Sequence, residues 1–300
     1  MSFWLTERRL LIPRVAELIE AAEYTPSVNK ESNMVYNPNA IRETYDEIAE
    51  REDRFEKGFS LRNEIPREFI KRYLETSDIV LDAGGGSGIN AIMMAQHGAS
   101  VTLLDISPKM LELAAVNIKK AGLAERIELV QGDVANLSQF RDAQFSFVVC
   151  LGGPLSYVRE QSPWTIRELV RVARKGAVLI LGCDSKYGFV RWLLSVHSEG
   201  QLRGEDRLDK AIAVYEACEY EAGEEAYAHL YTATELTKLL EEAGCDVLEL
   251  ASTPTLMDSW DQSTYPEEKR EKLKALELKV CTVPELLGTG HHLFCVAKKL

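Results

Sequence analysis

A chain of 300 residues, 46% apolar and 27% charged, has the composition of an ordinary globular protein and the length to bury a sizeable core. Its net charge of −12 argues against a nucleic-acid partner, which needs a positive footprint, and its apolar runs are too short to span a membrane. The six cysteines include no C-x-x-C pair, so neither a metal site nor a disulfide scaffold is expected; with no basic-then-apolar leader at the N-terminus, the expected location is cytoplasmic.

Leu10, Leu11, Val15, Leu18 and Ile19 recur at helical spacing and predict a helix over Thr6–Glu23, closed by Pro26. Asn37-Pro38-Asn39 then caps a helix over Ala40–Lys57, and Pro66 opens a third helix to about Leu74. Residues 1–76 thus read as an N-terminal helical cap. The most informative run follows: Ile79-Val80-Leu81-Asp82-Ala83-Gly84-Gly85-Gly86-Ser87-Gly88, a short apolar strand that ends in an acid and enters a glycine loop, with a helix over Ile89–His97 behind it. Glycines at alternate positions (Gly84, Gly86, Gly88) allow a tight turn and a close backbone approach to a ligand. A triphosphate loop would need Gly-Lys-Ser/Thr where Gly88 is followed by Ile89 and Asn90. The dinucleotide fingerprint G-x-G-x-x-G fails at Ile89 when counted from Gly84; counted from Gly86 it ends on Ala91, which keeps a dinucleotide reading open. Asp82 opposes that reading, because a carboxylate there would repel a diphosphate and attract a cation. S-adenosylmethionine carries an ammonium and a sulfonium and no phosphate.

A second strand, Ser100–Leu104, ends in Asp105, an acid suited to paired ribose hydroxyls in either cofactor class. Ile106-Ser107-Pro108 leads into a helix through Lys119. The third strand, Ile127–Gln131, precedes Gly132-Asp133-Val134, where a carboxylate can accept from an adenine amino group. The fourth, Phe145–Leu151, runs into Gly152-Gly153-Pro154, and Leu169–Gly176 leads into the fifth. Taken together, these motifs resemble those of the class I S-adenosylmethionine-dependent methyltransferases over roughly residues 77–183 and 231–300. The resemblance implies that Asp82 and the loop glycines hold the methionine part of the cofactor. It further implies that Asp105 takes the ribose, Ile106 packs on the adenine, and Asp133 with the Val134 backbone reads the adenine edge. Leu151 and Tyr45 complete the implied set, Tyr45 within a Tyr45-Asp46-Glu47-Ile48-Ala49 segment of the kind that closes the pocket in small-molecule members. Two departures stand out. Ser146 replaces the usual acid early in the fourth strand, and Gly152-Gly153-Pro154-Leu155-Ser156-Tyr157 lacks the Asn-Pro-Pro-Tyr or Asp-Pro-Pro-Tyr of amino-directed nucleic-acid and protein-glutamine methyltransferases.

Beyond Cys183 the alternating pattern breaks. Residues 184–229 carry Tyr187, Phe189, Trp192 and His197 and then a charged, helix-like stretch over Glu205–Gly223; they read as a folded lid. Thr232 or Thr234 caps a helix ending near Gly244, strand Asp246–Ala251 follows, and a second insertion over 252–290 holds Trp260, Tyr265 and a helix over Glu267–Lys279. His291–Ala297 makes the closing strand. The expected fold is α/β, Rossmann-like and doubly wound, a mostly parallel seven-stranded sheet with an N-terminal helical segment and lid insertions. Its core is residues 77–183 and 230–300.

Methyl transfer is an in-line displacement in which the protein mainly aligns the reactants. Candidates near the acceptor are Tyr157, Trp192, His197, His229, Tyr231 and Trp260. Of these, His229 is the candidate base, because histidine titrates near neutrality, with Tyr231 and Tyr157 as further catalytic candidates. Cys150 and Cys183 lie in apolar strands with no neighbouring base to activate them. His291 and His292 alternate faces and do not share a metal. The expected function is a cytoplasmic methyltransferase, a homodimer, acting on a small-molecule acceptor with no nucleic-acid or membrane partner. An NAD(P)-dependent oxidoreductase or a non-catalytic S-adenosylmethionine-binding protein are the alternatives.

Overall fold

The structure, a computed structural model, describes residues 35–195, 204–223, 226–257 and 264–300. The helix expected over Thr6–Glu23, His197 and Trp260 fall outside the described residues.

Helix α1 (Pro38–Lys57) starts at Asn37, whose side-chain oxygen accepts from the N–H groups of Asn39 and Ala40. Helix α2 covers Leu61–Tyr73, so it begins five residues before the expected start and carries Pro66 in its interior. Leu61, Ile65 and Phe69 are all buried at i, i+4 and i+8, and this apolar stripe outweighs the hydrogen bond lost at the proline. Next come β1 (Ile79–Ala83), α3 (Ile89–His97), β2 (Ser100–Asp105), α4 (Pro108–Ala121), β3 (Ile127–Gln131) and β4 (Phe145–Cys150). After them lie α5 (Pro154–Tyr157), α6 (Ser162–Val172), β5 (Ala173–Asp184), α7 (Lys186–Leu194) and α8 (Gly204–Ala217). The remainder is β6 (Glu219–Gly223), β7 (Ala226–His229), α9 (Ala233–Glu242), β8 (Cys245–Thr253), α10 (Glu267–Val280) and β9 (His292–Lys299). The stretch expected to be helical through Gly223 instead leaves the helix at Cys218, which has φ 57°, and pairs as an antiparallel β6–β7 hairpin.

Seven strands form one sheet in the order β3-β2-β1-β4-β5-β9-β8. The first five run parallel, and β9 is antiparallel to both β5 and β8. Helices cover both faces, so the central strands are apolar on each side: Leu81, Val148 and Leu179 face one core, and Val80, Phe147 and Ile180 face the other. The strand order reverses between β1 and β4. In such sheets the crevice at the carboxyl ends of these two strands is where ligands bind. The glycine loop leaves β1 there, and Gly152-Gly153-Pro154 leaves β4.

Candidate active site

The two loops meet at that crevice. A Cβ on Gly84 would lie 2.4 Å from Pro154 Cγ, so only a glycine lets them touch. Beyond them opens a pocket of about 700 Å³. Of the expected cofactor set, Gly84, Gly86, Asp105, Ile106, Asp133, Val134, Leu151 and Tyr45 line it, as does the catalytic candidate Tyr157. Asp82 and Gly88 do not. Gly88, at φ 83°, starts α3 with its open side against Leu103 and Ala114, while Asp82 lies buried beneath the loop.

Asp105 is a buried staple rather than the exposed strand end its sequence position suggests. Its carboxylate accepts from the Gly86 N–H and from the Ser107 N–H, each at 2.9 Å. Glu56, unforeseen from sequence, reaches over from α1 and accepts from the Ser87 hydroxyl at 2.7 Å and the Ser87 N–H at 3.2 Å. Three carboxyl groups therefore crowd the loop. Burial, then Glu56 and Asp105, push the Asp82 carboxyl up to about 7; burial likewise lifts Glu56 to about 7 and Asp105 to about 6. One Asp82 oxygen, Oδ2, is buried without a hydrogen-bond partner.

At the Asp133 end of the pocket, the Tyr36 hydroxyl donates to Asp133 Oδ1 at 2.8 Å, another contact absent from the sequence reading. At the other end, the Tyr45 hydroxyl donates to the Tyr157 hydroxyl at 3.3 Å, with the two rings edge to face. These two tyrosines, with Glu52, Arg62 and Gly153, also border a second, wider cleft of about 1370 Å³ between α1, α7, α8 and β6. Trp192 lines that cleft, together with Phe189, Tyr220, Asp184 and His292.

Two catalytic candidates sit elsewhere. His229 Nε2 lies 2.8 Å from Glu235 Oε1, and Tyr231 is fully buried, its hydroxyl donating to the Leu155 carbonyl at 3.0 Å and paired with Ser162. Neither lines any described pocket. His229 is the last residue of β7, and two residues on Tyr231 forms an isolated bridge with Ser185 just past β5 and lies in the core. Tyr231→Phe is therefore expected to lower stability by about 1 kcal/mol through the lost hydroxyl contacts and to leave cofactor affinity unchanged. Thermal denaturation and calorimetry check both. The Cys150 and Cys183 thiols, pushed up chiefly by burial, are chemically quiet.

A group carrying positive charge fits this crevice: buried carboxyls ring the glycine loop, one with an unpartnered oxygen, and no carboxyl-rich loop of this kind suits a diphosphate. This disfavours the dinucleotide reading.

The architecture is that of an α/β protein with its ligand crevice at the β1/β4 switch point. Residues 80–176 match the family described as Methyltransferase domain. The chain is 31% identical over 163 residues to the demethylmenaquinone methyltransferase of Leptospira interrogans, a match covering 51% of this chain and 64% of that protein. It is 36% identical over 104 residues to the release factor glutamine methyltransferase of Chlorobaculum tepidum, covering 32% of this chain and 33% of that protein. The chain thus spans less than two thirds of the length of these curated relatives. Among solved structures, a SAM-dependent methyltransferase from Methanosarcina mazei shares the fold with TM-score 0.55 at 23% identity, covering 77% of this chain and 97% of that one. Sheet, loop and family match together support a methyltransferase domain of the class I S-adenosylmethionine-dependent kind over residues 80–176.

Proposed function

We propose that the chain binds S-adenosylmethionine in the β1/β4 crevice and transfers its methyl group to a small-molecule acceptor in the adjoining cleft. The observation that carries the donor assignment is the trio of buried carboxyls at the glycine loop, where burial and mutual repulsion favour a cationic ligand. Glu56 serves the ammonium end from the pocket wall, and Asp82 adds negative charge from beneath the loop. Asp105 accepts from the backbone N–H groups of Gly86, Ser107 and Ile106, and the capacity its two oxygens retain is directed at the ribose hydroxyls. Asp133 and the Val134 backbone serve the adenine edge, with Ile106 against its face. Arg62, which borders all the described pockets, is the cation suited to the methionine carboxylate. When bound, the donor supplies an electrophilic methyl group on sulfur. The residues of the crevice and cleft orient both partners and exclude water.

The small-molecule assignment is supported by the cleft itself, enclosed by aromatic side chains, and by Gly152-Gly153-Pro154-Leu155-Ser156-Tyr157 after β4. That sequence lacks the motif of glutamine-directed enzymes, which favours the quinone-type relative over the release-factor one as a guide to acceptor size. Among the described residues, no helix is long and apolar enough to cross a membrane. Isothermal titration should give saturable binding of S-adenosylmethionine and S-adenosylhomocysteine and none of a nicotinamide dinucleotide. The reverse pattern would overturn the assignment.

A further inference from the structure

Helix α1 turns one face to the wide cleft, with Tyr45, Ile48 and Glu52 at i, i+3 and i+7 along it. Asp184, the last residue of β5, lines the same cleft from the sheet, and its Oδ2 accepts from the Tyr220 hydroxyl at 2.9 Å. Two carboxylates carried by different elements thus border one space. Aromatic rings make up much of the remaining wall. Tyr220 stacks on Phe189 with centroids 4.2 Å apart, Trp192 tilts against Phe189 at 5.6 Å, and the Tyr45 and Tyr157 rings meet edge to face at 5.7 Å. Tyr45, Tyr157 and Glu52 also line the pocket at the glycine loop, so this corner of the cleft adjoins it.

We propose that the methyl acceptor is an amine, which enters the cleft as a cation against the tyrosine rings with Asp184 and Glu52 as its counter-charges and specificity-determining residues. This rests on the methyltransferase reading above. A ring face attracts a cation by about 0.5–2 kcal/mol, and a carboxylate adds charge-assisted hydrogen bonds to the N–H groups. Before transfer the ammonium gives one proton to solvent, which frees the nitrogen lone pair. That pair forms the new C–N bond as the donor's C–S bond breaks, and the electrons of the broken bond stay on sulfur. Positive charge thereby moves from sulfur to nitrogen, where the two carboxylates stabilise it; an oxyanion acceptor would meet repulsion from them.

Of the other charged side chains lining the cleft, Arg51, Lys210 and Glu221 are exposed, and the Arg51–Glu52 contact of 3.6 Å is a surface pair of little energy. Arg62 borders the glycine-loop pocket as well and is assigned above to the donor's carboxylate. At the tyrosines its charge is outweighed. Burial first, then Asp184, raises the Tyr157 pKa, and burial first, then Tyr157 and Glu52, raises that of Tyr45, with Arg62 opposing less strongly in each case. Both hydroxyls stay protonated, so they offer ring faces and oxygen lone pairs to a cation and do not act as bases.

Benzylamine, benzyl alcohol and benzoate carry the same ring with a positive, a neutral and a negative group at neutral pH, and serve as probes on protein saturated with S-adenosylhomocysteine. Calorimetry should place benzylamine about ten-fold tighter than benzyl alcohol, with benzoate weakest, and with S-adenosylmethionine as donor benzylamine should be methylated on nitrogen. Glu52→Gln and Asp184→Asn should each weaken benzylamine binding by about ten-fold and leave benzyl alcohol unchanged. Wild-type S-adenosylhomocysteine affinity in Asp184→Asn shows that it is folded; if it is not, Glu52→Gln, at a partly exposed helix position, carries the comparison. Equal affinity for the amine and the alcohol, tighter binding of benzoate, binding of none of the three, no methylation of benzylamine, or equal losses on amine and alcohol in the variants would overturn the proposal. Wild-type protein that fails to bind S-adenosylhomocysteine would instead refute the underlying reading.

Discussion

Asp82→Asn is expected to weaken S-adenosylmethionine binding by about ten-fold, or ~1.4 kcal/mol, while making the ligand-free protein more stable near pH 8. The two effects share one cause. Buried under the glycine loop beside Glu56 and Asp105, the Asp82 carboxyl titrates at about 7 in the fold, against about 4 in an unfolded chain. Between those values the native state holds a proton that the unfolded state has released, so stability falls as pH rises through the window and the full penalty stands above it. Asparagine has no charge to desolvate, and its side-chain oxygen still accepts from the Ala91 N–H that now serves Asp82. What it loses is the charge that a cationic donor would neutralise. Melting temperatures from pH 4 to pH 8, with calorimetric titration of the donor, separate the two effects. A variant with the wild-type slope and wild-type affinity would remove Asp82 from the site.

Gly86→Val is expected to abolish detectable donor binding and to destabilise the fold. Gly86 has φ 56°, and a Cβ there would lie 2.4 Å from Glu56 Oε1 and 3.2 Å from Met110 Cε. The left-handed backbone alone costs a branched residue roughly 1–2 kcal/mol, equivalent to a melting-temperature drop of ~2–4 °C per kcal/mol in a domain of this size. The side chain also displaces Glu56 and strains the Gly86 N–H contact to Asp105, so the polar groups serving the donor are lost together. Gly86→Ala, tested alongside, should keep part of the binding because it lacks the branched methyls. Full donor affinity in the valine variant would mean that no ligand approaches the loop closely.

Much of this was legible in the sequence because parallel strands buried on both faces read as unbroken apolar runs. Each run here ends at a residue of a different kind: Asp82, Asp105, the Gly132-Asp133 pair and the Gly152-Gly153 pair. A mostly parallel sheet with its crevice at the strands' carboxyl ends follows from those runs. What escaped depends on contacts between distant positions. Glu56 reaches Ser87 across 31 residues, Tyr36 reaches Asp133 across 97, and nothing in either local pattern announces the partner. His229 drew attention as a histidine before a helix, yet at the end of β7 it pairs with Glu235 of the following helix. His292, in an apolar strand, reads as core until the β5–β9 register sets it against Asp184. Pro66 misled in another way: a proline rule for helix starts lost to a buried stripe that begins at Leu61.

Helix α1 gives the two compartments a common mechanical part. Tyr45 and Glu56 are 11 positions apart on it, about 16 Å along the axis, and one touches the acceptor cleft while the other grips the glycine loop. A stiff rod held at both ends acts as a lever: tilting it to admit one reactant shifts the wall that confines the other. Substitutions that bend the rod at an exposed position between those two residues, such as Glu50→Pro, are expected to move the Michaelis constants for donor and acceptor in concert, although Glu50 lines neither compartment.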